Sequence, residues 1–246
     1  MAGAAGKKTS QPFGYRPLYR QVKDILRQRI GDGVWQAGQM IPSEPELAAD
    51  IGVSPGTVRK ALDEMTAENL LVRKQGRGTF VARHDDARIL FQFFKLMPDE
   101  GERQFPDSCI LQVKLEPADE TAAKLLNVRK GASLVLIERI RTISGDPCIF
   151  ERILLPRTLF PEIEKRELPN NLYNLYSTEY GVTIAGASER LKAVAATRRE
   201  ANHLGVAIGT PLLLINRIAQ TVNGAPAEWR ISFCRTDRVH YLNDLR

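Results

Sequence analysis

The chain has 246 residues, 43% hydrophobic and 26% charged, at globular averages that exclude a disordered or fibrous polymer. No stretch reaches the roughly 18 consecutive apolar residues of a membrane span, and Met1–Ser10 has no apolar run behind its charges, so neither an anchor nor a secretory signal is expected. The net charge of +6 is lopsided: residues 1–84 hold 13 Lys and Arg against 8 Asp and Glu, whereas residues 85–246 hold 22 against 21, which points to a polyanion-binding end joined to a near-neutral body.

Cys109, Cys148 and Cys234 are odd in number and far apart, and His84, His203 and His240 do not cluster. No disulfide framework, metal site or cofactor is expected, and a reducing cytoplasm is the expected compartment. Residues 1–15 read as a flexible lead-in.

From Pro17, Leu18, Val22, Ile25, Leu26 and Ile30 recur at helical spacing, and Gly31 and Gly33 close the segment, which predicts a helix over 17–31. Ser43 followed by Pro45 and Glu46 is a capping box with proline in the first turn, predicting a second helix over about 44–50 that Gly52 ends. Ser54 caps a third, PGTVRKALDEMTAENLL from Pro55, with Val58, Leu62 and Met65 on one face. Two helices joined by a short glycine turn make a helix-turn-helix. The short β-type runs Leu71–Arg73 and Thr79–Val81 flank a basic glycine tip, Lys74–Gly78, which makes a wing. Packing alone needs no basic glycine tip, so a winged helix-turn-helix over 16–83 at the basic end points to DNA.

PLYRQVKDILRQRI and IPSEPELAADIGVSPGTVRKALDEMTAENLLVRKQGRGTFV together resemble the DNA-binding domain of GntR-family bacterial transcription regulators. The resemblance implies that the third helix enters the major groove. Ser54, Gly56 and Thr57 stand at its N-terminus, where backbone N–H groups meet phosphate; Arg59 and Lys60 lie one turn in, Arg59 long enough to fork onto a guanine. Gln75, Gly76 and Arg77 form the wing tip at the minor groove. Pro45 and Pro55 stand where many members carry arginine, which shifts the weight of binding onto Arg59, Lys60 and the wing.

Residues 84–108 read as a linker, aromatic around Phe91, Phe93 and Phe94, and 109–246 as a second, α+β domain. A strand over 110–118 and a helix over about 119–127 open it. An internal repeat follows: LLNVRKGASLVLIERIRTISGDPCIFER (125–152) and HLGVAIGTPLLLINRIAQTVNGAPAEWR (203–230) align Val128 with Val206, Gly131 with Gly209, Leu134 with Leu212 and Arg139 with Arg217 at an offset of 78. After one extra residue, Gly145 and Pro147 match Gly224 and Pro226. Each copy reads as helix, glycine turn, long strand, GxP hairpin and returning strand. Between them, 168–182 reads as a helix and 183–196 as a strand. The expected architecture is a pseudo-symmetric, mainly antiparallel sheet of two hairpins with helices over one face.

This body resembles the UTRA ligand-sensing domain of the HutC subfamily, whose fold is similar to chorismate lyase. A regulator whose operator affinity answers to a small molecule is thus one reading and a lyase-like enzyme tethered to DNA the other. The chain has no GxSxG, metal cluster or readable Cys/His pairing, which favours the regulator. Arg139 and Arg141 stand two apart on one strand face and can fork onto a phosphate or carboxylate; alternatively they pair with Glu151 and Glu138. The resemblance adds Glu151, Asn171 and Tyr173 in a Ser-x-Tyr position with Asn replacing Ser, and Glu228, and puts Cys234 where a pocket tyrosine is common. It implies no catalytic residue, a homodimer formed through the second domain, a near-palindromic double-stranded operator, no membrane contact and an anionic effector.

Overall fold

A computed structural model describes residues 16–68, 70–82, 93–102 and 105–243. The lead-in over 1–15 and the linker residues 84–92 lie outside these. Three helices come first: α1 (Leu18–Gly31), α2 (Glu44–Ile51) and α3 (Pro55–Ala67). Glu46 accepts hydrogen bonds from the backbone N–H and Oγ of Ser43 at 2.8 and 2.7 Å, fixing the start of α2. Gly52, at φ +77°, ends it in a conformation that favours glycine. The Thr57 N–H donates to Ser54 Oγ at 3.2 Å, so α3 begins where the cap placed it.

The third helix is shorter than its sequence segment. It stops at Ala67 because the Leu70 N–H turns back onto the Met65 carbonyl at 2.8 Å and Leu71 pairs with Val81 as the wing begins. The wing strands are β1 (Leu71–Lys74) and β2 (Gly78–Val81). Val22, Leu26 and Ile30 of α1 pack with Leu47, Val58, Leu62 and Met65 in one buried cluster. Lys23 is drawn in with them: its ammonium donates to Glu64 at 2.9 Å and Glu68 at 2.6 Å, tying α1 to α3.

The body follows with β3 (Leu96–Pro98), β4 (Asp107–Pro117), α4 (Glu120–Leu126), β5 (Ser133–Ile143), β6 (Asp146–Pro156), a 3-10 turn (Ile163–Lys165), α5 (Leu172–Glu179), β7 (Ile184–Ala195), α6 (Arg198–Leu204), β8 (Pro211–Thr221), β9 (Pro226–Cys234) and β10 (Val239–Tyr241). Six strands form one antiparallel sheet in the order β4-β5-β6-β9-β8-β7, and β3 pairs with β10 beside it. The repeat is visible in the turns. Asn127 and Gly205 both end their helices with positive φ, and Gly131 matches Gly209 at +81° and +89°. The returning strands β6 and β9 pair with each other, so the pseudo-dyad runs between them.

Helices cover both faces of the sheet, not one. Ala122 and Leu126 of α4 pack on Leu134, Leu136 and Leu154, and Leu204 of α6 packs near Phe150 and Leu212. On the opposite side, Tyr173 and Tyr176 of α5 pack with Val135, Ile137 and Ile153. The unbroken apolar run Leu134–Ile137 is the reason: a strand that buries consecutive residues has no solvent face.

Head and body meet at Val222, with Ala185 of β7 packed against the same cluster. Val222, in the β8–β9 turn, is 3% exposed and belongs to the buried cluster of the head. Beside it, the Asn223 side chain lies so close to Gly31 that a Cβ there would meet it at 2.3 Å.

Candidate nucleic-acid interface and effector cleft

In the head, Ser54, Gly56, Arg59 and Lys60 are exposed around the start of α3, with Thr57 partly so, and Gln75, Gly76 and Arg77 are exposed at the wing tip. Pro55 occupies the first position of α3 and Pro45 the second of α2, where a missing N–H costs no helical hydrogen bond. Arg59 Nε donates to Glu44 Oε2 at 2.8 Å, and Arg73 reaches the other oxygen of Glu44 at 3.3 Å. Glu44 thus fans two arginines across the face of α3, and the sequence reading did not single it out. The Lys60 ammonium lies 4.3 Å from the centre of the Tyr19 ring. At the wing tip Gly76 has φ +68° and open space where a Cβ would stand, so the backbone is open to close approach.

In the body a cleft opens on the α5 side of the sheet. Arg139, Arg141, Glu151, Asn171, Tyr173 and Cys234 line it. Arg139 is 1% exposed and donates through Nε to Glu151 at 2.7 Å and through Nη1 to the Asn170 carbonyl at 3.2 Å. Ser232 donates to the other oxygen of Glu151 at 3.1 Å, and Arg230 stands 3.6 Å away. Burial raises the affinity of the Glu151 carboxyl for a proton, but Arg139, Arg230 and Arg141 together hold it well below the usual carboxylate range.

Glu228 does not line the cleft. It is fully buried and accepts from Tyr173 at 3.0 Å, Tyr176 at 2.9 Å and both ends of the Arg230 fork at 3.0 and 2.8 Å. Burial, and then the Glu228 charge, push the Tyr173 hydroxyl up to about 12, so it stays a proton donor at neutral pH. Asn171 caps α5, its Oδ1 accepting from the Asn174 N–H at 3.0 Å. Glu138 faces away from the cleft, held by Gln112, Arg152 and Arg199.

Arg141 differs from its neighbours. Its Nη2 donates to the Pro106 carbonyl at 3.2 Å and more distantly to Asn170 at 3.4 Å, while its guanidinium lies 5.2 and 5.0 Å from the Phe94 and Phe105 ring centres. Its Nε is buried without a hydrogen-bond partner, and among the described residues no carboxylate is within 4 Å of it. Burial, and behind it the charge of Arg139, push this guanidinium well below its ordinary value. Of the two arginines, then, Arg139 carries the ion pair with Glu151 and Arg141 carries charge to spare.

Arg217, Arg230, Ser232, Phe93, Phe94 and Asn170 also line the cleft, and none of them was read as a site residue from the sequence. The repeat offered a signal for Arg217, the counterpart of Arg139, whose Nε donates to Glu189 at 2.6 Å. Among the described residues no group of three or more His, Cys, Asp or Glu could hold a metal, and no helix is long and apolar enough to cross a membrane.

Residues 18–81 match the model of bacterial regulatory proteins, gntR family, and residues 102–240 match that of the UTRA domain, more than half of the chain. The chain belongs to the GntR family. Within this family it is 33% identical to the HTH-type transcriptional repressor NagR of Bacillus subtilis over 233 residues, covering 93% of this chain and 96% of that one. It is 30% identical to the histidine utilization repressor of Pseudomonas putida over 205 residues, 83% and 82% of the two chains, which places it beside the HutC-like members. The crystal structure of PhnF from Mycobacterium smegmatis superposes with a TM-score of 0.55 at 25% identity, over 92% of this chain and 99% of that one. The GntR-UTRA chain is a helix-turn-helix regulator by family, with a ligand-sensing body.

Proposed function

We propose that the protein is a transcriptional repressor that binds a near-palindromic double-stranded operator as a homodimer, and that a small phosphorylated or carboxylated molecule in the cleft changes its hold on DNA. Ser54, Gly56, Thr57, Arg59 and Lys60 meet one major groove, and Gln75, Gly76 and Arg77 the adjoining minor groove. Two heads meet two half-sites, with the bodies supplying the dimer contact. In the cleft, Arg141 takes the anion, Asn171 and Tyr173 flank it, and Arg139 with Glu151 holds the floor rigid. Glu228 acts from behind, fixing Tyr173 and Arg230. The names of the relatives as repressors support the sign of regulation.

The observation that carries the reading is Arg141: a buried cation with an unpartnered Nε and no carboxylate within salt-bridge distance is a receptor for a charge brought from outside. A thermal-shift screen of phosphorylated and carboxylated metabolites tests it. A ligand at 100 times its Kd adds about 2.7 kcal/mol of stability. The stabilising compounds are expected to be anions, to alter operator binding in a gel shift, and to do neither with Arg141→Ala. A hit that stabilises the variant as well as the wild type rules out this anion seat. Sedimentation of the full chain as a monomer at micromolar concentration rules out the dimer.

A further inference from the structure

The cleft is nearly full of its own protein. It encloses only about 40 Å³, room for about three waters and far below the roughly 300–1,000 Å³ of small-molecule pockets. What fills it is the first described segment after the head. Phe93 and Phe94 are 5% and 7% exposed. The Phe93 ring meets Tyr173 edge-on at 5.1 Å, and its carbonyl accepts from Arg217. The Phe94 ring lies beside the Arg141 guanidinium and packs with Ile149, Ile215 and Cys234. Ten residues of sequence separate Phe93 from Ala82, the last described residue of the head.

We propose that Phe93 and Phe94 are an intramolecular plug that keeps the effector's seat, and that the effector is an anion whose flat or apolar body takes the place of their rings. This rests on the reading of Arg141 as the anion seat. The charged end satisfies Arg141, while the body needs the apolar walls that the phenyl rings now cover. The rings and such a body contest the same walls beside Arg141 and Tyr173, so entry evicts the plug. Eviction acts directly on the chain leading to the head, and the effector binds the plug-out arrangement better, as a shift of an equilibrium requires. Arg217 is a latch: its hold on the Phe93 carbonyl is a polar contact that the plug must release.

Two probes separate the plug from the seat. Inorganic phosphate carries the charge alone; phenyl phosphate carries a ring that competes with Phe94. Calorimetry on the full chain is expected to show both anions binding, and both losing binding in Arg141→Ala. In Phe93→Ala/Phe94→Ala, or in Phe94→Leu should the double variant fold poorly, phenyl phosphate is expected to gain at least about tenfold in affinity, because a plug-out state of about 10% or less no longer limits it. Phosphate is expected to gain less. In the wild type, hydrogen exchange of the amides at 93–96 is expected to quicken on saturation with phenyl phosphate. Equal phenyl phosphate affinity with and without the plug, or unchanged or slower exchange at 93–96, overturns the plug and leaves the seat standing if Arg141→Ala still abolishes binding. Binding of neither anion to any variant overturns both.

Discussion

Two arginine–glutamate pairs of nearly the same length do opposite work. In the head, Arg59 meets Glu44 at 2.8 Å with 64% of its side chain in water; in the body, Arg139 meets Glu151 at 2.7 Å with 1% in water. Water makes the first pair exchangeable. An exposed pair is worth about 0–1 kcal/mol, so under the proposed function a DNA phosphate or base edge replaces Glu44 at little cost, and Glu44 holds Arg59 in place until then. The second pair is fixed, because parting it strands a charge in the interior. The proposed regulation by ligand uses both kinds: a rigid floor under the cleft and loosely held cations on the surface proposed to read DNA.

The contrast can be broken from the buried side first. Arg139→Ala is expected to lower stability by about 3–5 kcal/mol in chemical denaturation, since it leaves Glu151 with the Ser232 hydroxyl and only the longer of its two arginine contacts, to Arg230. Arg141→Met, two residues along the same strand, is expected to cost far less than Arg139→Ala, because it removes a buried charge with no carboxylate at salt-bridge distance and fills its place with methylenes. Acid sharpens the same point. The unfolded Glu151 carboxyl binds a proton near pH 4.3, the folded one well below that. The unfolded chain therefore holds more protons across this window, so stability is fully present above about pH 4.3 and falls as pH drops from there towards the folded value. Glu151→Gln is expected to be less stable at pH 7 but to lose that acid-dependent part of the slope.

On the exposed side the effects are smaller and appear in DNA binding. Arg59→Ala is expected to cost about 1–3 kcal/mol on the selected operator and to blur one base position, whereas Arg77→Ala weakens all sequences alike and lowers the salt slope by about 1. Gel-shift titrations over a range of salt read both. An Arg59→Ala variant with unchanged affinity and preference would remove α3 as the reading helix. Smallest of all, Glu44→Ala is expected to change stability by no more than about 1 kcal/mol while raising affinity for random duplex.

How much the sequence disclosed follows from how local each feature is. Caps such as Ser43 with Glu46, and turns such as Gly131 and Gly209, act within a few residues, so spacing alone located them. The repeat located the two halves of the sheet. What it could not convey was which side chains converge from distant strands. Arg230 and Ser232 reach Glu151 only because β6 lies beside β9, and Glu228 is drawn out of the cleft by tyrosines more than fifty residues away. Likewise Phe93 and Phe94 read as an aromatic linker; their place beside Arg217 and Arg141 depends on the whole body being assembled.

Val222 gives the head a core that is not continuous along the chain. A fusion that grafts residues 16–82 onto a foreign sensor therefore carries an apolar socket with nothing to fill it, and one that keeps this sensor under a foreign head presents a bare valine on a hairpin tip. Exchange of reading heads between regulators of this build is accordingly a matter of two matched parts, a helix bearing Gly31 and the turn Val222–Gly224 that nests against it, inherited or engineered together.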